Sequence, residues 1–266
     1  MNRSDFESSW HCMIALFPLM LMAMEPTTET LTLTVDGVER KAIIVIPSSA
    51  KTKSSPIVFA FHGHGGNMNY SVRKFAVGDY WPEAIAVYPQ GLPTAGRTDP
   101  DGKKNGWQNS PGLNGDRDLK FFDQLLVTAK KMAKVDSKRI YSVGHSNGAG
   151  FTYCLWRTRP NLLAAIAVCA GGFGSAPDPS PIPVLHIAGR KDPVVPFKNQ
   201  ERTIERLKTI NQCSADGKPW DGRKDIMEFS SKVGAPVVAH IHNGSHEMPQ
   251  DSNEVFYKFL KQHSKK

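Results

Sequence analysis

The chain has 266 residues, 40% of them hydrophobic and 22% charged, which suits one α/β layer domain and is too short for two with a linker. Those fractions exclude a disordered chain and a multi-span membrane protein. The net charge of +8 comes from scattered Lys and Arg, dense only in the 261–266 tail, so no nucleic-acid partner is expected.

In chain order, the first feature is Cys12 to Met24 (CMIALFPLMLMAM), an uncharged apolar run. It has the length of a signal-peptide core and falls short of the roughly 20 residues that a bilayer span needs. Residues 1–24 are therefore expected to be an export signal, with an N-terminal anchor or a mis-assigned start as alternatives. Export makes the mature protein secreted or periplasmic, with no membrane span. It also leaves Cys154, Cys169 and Cys213, an odd number that allows at most one disulfide and argues against a disulfide framework.

The catalytic domain is expected over residues 29–264. Leu31 to Val35, Asp36-Gly37 and the run through Ile43 to Ile46 form a hairpin signal. Short apolar runs then alternate with helical stretches: Ile57 to Phe61, Ala84 to Tyr88, Ile140 to Val143, Leu163 to Val168, Pro183 to Ile187 and Pro236 to Ile241. That pattern predicts an α/β fold, a mostly parallel sheet with helices on both faces. The clearest helix follows Asp116, with Leu119, Phe122, Leu125, Leu126, Ala129 and Met132 at helical spacing. Two more are expected, from about Asn199 to Asn211 and from Glu254 to His263. Between Gln90 and Asn114 runs a long polar loop whose large aromatic is Trp107. Such a residue either lines a cleft or tucks against the core.

The sharpest motif is Gly144-His145-Ser146-Asn147-Gly148, between an apolar strand and a helical run. Flanking glycines let the backbone turn sharply and lift the Ser oxygen above the sheet. Ser146 is the expected nucleophile. In chain order acid then base, Asp192 stands in the loop after the strand Pro183 to Ile187, and His246 in the loop after Pro236 to Ile241. His240 and His242 compete for the base role but fall within the strand or at its end, and His186 lies inside a strand. The loop His62-Gly63-His64-Gly65-Gly66 follows the strand Ile57 to Phe61, and the oxyanion hole is assigned to the amides of His64 and Asn147. His145 and Trp107 are expected to contact substrate. His62 and His64 lack a third ligand at metal-site spacing, so no metal is expected. The relay needs no cofactor.

Taken together, His62-Gly63-His64-Gly65-Gly66, Tyr88-Pro89-Gln90-Gly91, Trp107, Gly144-His145-Ser146-Asn147-Gly148, Gly189-Arg190-Lys191-Asp192-Pro193 and Gly244-Ser245-His246-Glu247 resemble the secreted polyhydroxybutyrate-depolymerase and feruloyl-esterase-like branch of α/β-hydrolases. The likeness departs at Gly115-Asp116-Arg117-Asp118 and at Ser245. It implies hydrolysis of carboxylic esters, on polymer-derived, aryl or carbohydrate substrates, with Ser146, Asp192 and His246 as triad. A peptidase or acyl-aminoacyl hydrolase on the same triad is the alternative, and a catalytically silent binding module is a further one.

Overall fold

The computed structural model describes residues 25–175 and 177–266; the expected signal segment, with Cys12, lies outside them. The opening hairpin pairs β1 (Thr27–Val35) with β2 (Val38–Ile46). Asp36 and Gly37 both have positive φ, 49° and 79°, as a two-residue type I′ turn requires. β3 (Ser55–Phe61) is buried at every residue, so it must be covered on both faces.

Next come α1 (Met68–Phe75), the short α2 (Val77–Tyr80) and β4 (Ile85–Pro89). The polar loop folds back on itself as a small ribbon, β5 (Leu92–Pro93) with β6 (Asn105–Gly106). It leads into α3 (Arg117–Met132), β7 (Val135–His145), α4 (Asn147–Thr158), β8 (Ala165–Cys169) and β9 (Val184–Gly189). α5 (Phe197–Ile210), β10 (Lys218–Trp220), β11 (Arg223–Phe229), β12 (Val237–His242) and α6 (Ser252–Lys261) complete the chain.

One ten-stranded sheet runs β1-β2-β4-β3-β7-β8-β9-β12-β11-β10. The strands from β4 to β12 are parallel, and antiparallel strands close both edges. Alternation along β3 sends Ile57, Phe59 and Phe61 to one face, with Phe122 of α3 and Phe151 of α4, and Val58 and Ala60 to the other, with Phe75 of α1 and Phe256 of α6. β3 is followed in sequence by β4 on one side, while its other neighbour is β7. The carboxyl ends of β3 and β7 thus open a crevice at the point where the winding reverses, where open α/β sheets hold their ligands.

The polar loop is anchored by a buried ion pair. Asp118 Oδ1 accepts from Arg40 at 2.9 Å and Oδ2 from the Gln108 amide at 2.9 Å, with both charged side chains essentially inaccessible. Asp116 adds acceptors for the Gln108 side chain and the Gly112 amide. The acidic pair at this departure from the family pattern therefore holds the loop closed.

Candidate active site

Ser146 joins β7 to α4 with φ 56° and ψ −117°, a backbone state that a non-glycine residue adopts only under constraint. The constraint is visible on either side. A Cβ on Gly144 would come within 2.3 Å of the Gly148 carbonyl, and one on Gly148 within 2.1 Å of the Phe61 carbonyl. Both positions therefore require glycine. Gly63 faces the serine directly, since a Cβ there would lie 3.4 Å from Ser146 Cβ, so the loop after β3 roofs Ser146.

His246 Nε2 lies 2.8 Å from Ser146 Oγ, and His246 Nδ1 lies 2.8 Å from Asp192 Oδ2. With Nδ1–H donating to the carboxylate, Nε2 is left to accept the serine proton. The Asp192 side chain is fully inaccessible. Its Oδ1 accepts the amides of Val194 and Val195 at 2.8 and 2.7 Å, and its Oδ2 also accepts Gln200 Nε2 at 3.0 Å. A buried carboxylate saturated with donors stays oriented. The acid and base loops are knitted by Lys191 N to Gly244 O and Arg190 N to His242 O. Gly189 permits this approach, since a Cβ there would meet Ser245 O at 2.1 Å.

The competing histidines are elsewhere. His242 Nδ1 accepts the Gly244 amide, His240 Nε2 stands 3.2 Å from Asp225, and His186 is buried between Tyr153 and Gln200. His62 donates from Nδ1 to Gly63 O and accepts the Gly91 amide at Nε2, and burial pushes it down to about 4. It is a neutral strut between two loops. Among the described residues no cluster of His, Cys, Asp and Glu could hold a metal ion.

The remaining expected site residues divide. In the loop after β3, the amides of Gly65 and Gly66 are used by Asn105 O and Gly63 O, whereas that of His64 has no acceptor among the described residues. The Asn147 amide opens α4, where no intrahelical acceptor exists. Its side chain is fixed at both ends, accepting from Trp107 N and donating to Trp107 O. Trp107, expected to contact substrate, is corrected to a core residue: it is 1% exposed, its indole donates to His62 O at 2.9 Å, and its ring stacks on Phe151. His145 does line the cleft, but its Nε2 donates to the His246 carbonyl at 3.0 Å, and burial, aided by His246, pushes it down to about 4. A neutral His145 thereby clamps the base loop.

The cleft around Ser146 measures about 390 Å³ and is lined by the glycine loop, His64, His145, His246, Asn67, and Tyr70 and Arg73 of α1. No sequence motif marks either α1 residue. Asn67 caps that helix by accepting Tyr70 N at 2.8 Å, and Met68, Val72 and Phe75 share one face. An Asn cap followed by that spacing is the signal that the sequence does carry. Gln200, a polar residue on the buried face of α5, is likewise outside every motif.

A serine–histidine–aspartate chain on the carboxyl edge of such a sheet is the arrangement of an α/β-hydrolase. No protein-family model matches the chain. A protein named probable feruloyl esterase C from Aspergillus niger is 30% identical over 200 residues, 72% of this chain and 70% of that one. Feruloyl esterase D of Neurospora crassa is 27% identical over 84% of this chain and 79% of its own. The acetyl xylan esterase of Aspergillus awamori superposes with a TM-score of 0.64 at 15% identity, covering 88% of this chain and 99% of that one. The chain belongs to the feruloyl-esterase-like family of α/β-hydrolases.

Proposed function

We propose that the protein cleaves acyl esters of aryl acids or acylated carbohydrates through an acyl-enzyme on Ser146. The observation that carries this reading is the continuous chain Asp192–His246–Ser146, 2.8 Å at each link, ending in a cleft. His246 takes the serine proton as Oγ attacks the ester carbonyl; the amides of His64 and Asn147 hold the resulting oxyanion. Collapse expels the alcohol, which receives the proton from His246, and water activated by the same base releases the acid. The names of the relatives, esterases of ferulic acid, favour this reading over a peptidase on the same triad.

The test is turnover of a short-chain nitrophenyl ester. Ser146→Ala and His246→Ala should each lose several orders of magnitude, Asp192→Asn somewhat less, and fluorophosphonate should label Ser146 alone. A His242→Ala loss as large as that of His246→Ala would overturn the base assignment.

Export belongs to the same reading. It is supported by the apolar run Cys12 to Met24, and among the described residues no helix is long and apolar enough to cross a membrane. Mass spectrometry of the mature N-terminus tests it, and a retained Met1 would reject it.

A further inference from the structure

Among the described residues, Arg73 is the one charged side chain lining the Ser146 cleft apart from the histidines. It is exposed in the last turn of α1, one turn beyond Tyr70, whose ring is 42% exposed on the same rim. Several half-buried arginines are ion-paired, Arg139 with Asp136, Arg159 with Asp123, Arg223 with Asp225 and Asp251, whereas the exposed Arg97, Arg190 and Arg202 are, like Arg73, without a carboxylate partner among the described residues; Arg73 differs from those three in lining the cleft of Ser146. Arg73 makes no hydrogen bond or ion pair with any described residue. Asp79 and Glu83 line a neighbouring cavity of about 700 Å³ that has Arg73 as a shared wall, yet neither pairs with it. On the Ser146 side no carboxylate of the described residues lines the cleft; Asp99, behind His64, is taken up by His64 Nε2 and the Lys104 amide.

A guanidinium left unpaired beside a nucleophile has a defined chemical preference. Its planar fork matches a carboxylate with two parallel N–H donors. We propose that Arg73 is a specificity-determining residue that selects esters carrying a carboxylate on the acyl or the alcohol part, with the Tyr70 ring as the apolar wall beside it. The charge must sit on the Ser146 side of Arg73, because Asp79 and Glu83 repel it from the other cavity. This inference rests on Ser146 being the nucleophile.

Two matched pairs of substrates test it: nitrophenyl hemisuccinate against nitrophenyl butyrate, with the charge on the acyl side, and meta-carboxyphenyl acetate against phenyl acetate, with the charge on the alcohol. The readout is the ratio of kcat/KM, charged over neutral, in the wild type, Arg73→Gln and Arg73→Glu. That ratio should fall about fivefold in Arg73→Gln, further in Arg73→Glu, and should be eroded by salt in the wild type only. The pair that moves tells which side of the ester carries the charge. Unchanged ratios in both pairs would overturn the proposal. Binding of nitrophenyl hemisuccinate and of meta-carboxyphenyl acetate to Ser146→Ala, with and without Arg73→Gln, tests Arg73 without turnover. Weaker binding of either ester in the double variant supports the charge site even if Ser146 proves not to be the nucleophile, and equal binding of both rejects it.

Discussion

Gln200 shows how far a single side chain outside the triad can reach into its chemistry. Its Nε2 donates both to Asp192 Oδ2 and to Val195 O, so it fixes the carboxylate and the turn that presents it. Gln200→Leu keeps the volume and removes both donors, leaving Oδ2 with His246 alone. A lost hydrogen bond to a buried charge is worth about 1.5 kcal/mol or more, so kcat should fall about tenfold with KM nearly unchanged; an equal rise in KM would assign Gln200 to substrate binding instead. Trp107 carries the opposite lesson. An aromatic in a polar loop reads equally as cleft or core, and only the contacts to His62 O, Phe61 and Phe151 decide it. Trp107→Ala should therefore destabilise the fold by about 3–5 kcal/mol and depress turnover of aryl and acetyl esters alike. A loss confined to aryl esters, with an unchanged Tm, would return the indole to the substrate.

At the level of elements, the strand–turn–helix at Ser146 is legible in the sequence because its glycines answer a steric demand that leaves no alternative. A Cβ at Gly148 would overlap the carbonyls of both Phe61 and His62, backbone atoms of the central strand and its loop. Gly148→Ala should accordingly abolish soluble expression or shift α4 enough to remove activity, and a folded, fully active variant in a thermal melt and ester assay would refute that account of the motif. The parallel strands are equally readable, being continuous apolar runs buried on both faces. β10 and β11 are not, since at the sheet edge their residues, Lys218 to Trp220 and Arg223 to Phe229, are largely polar and half-exposed. Yet Asp221-Gly222 between them has φ of 55° and 74° and pairs Trp220 with Arg223, the same turn chemistry that reveals Asp36-Gly37. The turn signal is present; the flanking apolar alternation that makes it persuasive is missing. α1 is hidden for another reason: its Asn67 cap and the Met68, Val72, Phe75 face are present, but the helix spans only eight residues behind a glycine loop, about two turns, too short for the periodicity to stand out. With it go Tyr70 and Arg73, the part of the cleft that the sequence does not disclose.

For the whole molecule, a ten-stranded sheet covered on both faces buries titratable groups along with the apolar ones, and this sets how the fold responds to acid. Burial drives His62, His145, His186 and His263 down to about 4 from 6.5. Each is therefore neutral in the folded protein at pH values where the unfolded chain already binds a proton. For a base whose folded pKa lies below its unfolded one, stability is complete above about 6.5 and is lost progressively as pH falls towards 4, because the unfolded state takes up the protons first. The slope for each fully buried His approaches about 1.4 kcal/mol per pH unit in that window. Tm should thus drop steeply between pH 6.5 and pH 4, ahead of carboxylate protonation. His263 isolates the effect, being far from Ser146, packed on Phe259 and with a buried Nε2 that has no partner. His263→Leu removes one such proton uptake without exposing a polar atom, so it should flatten the acid limb of the Tm curve while leaving stability at pH 8 equal or higher. The measurement is a set of thermal melts from pH 8 to pH 4 on both proteins. A wild-type Tm that holds level across the window, or a variant limb as steep as the wild type's, would show that buried histidines do not govern acid stability in this fold.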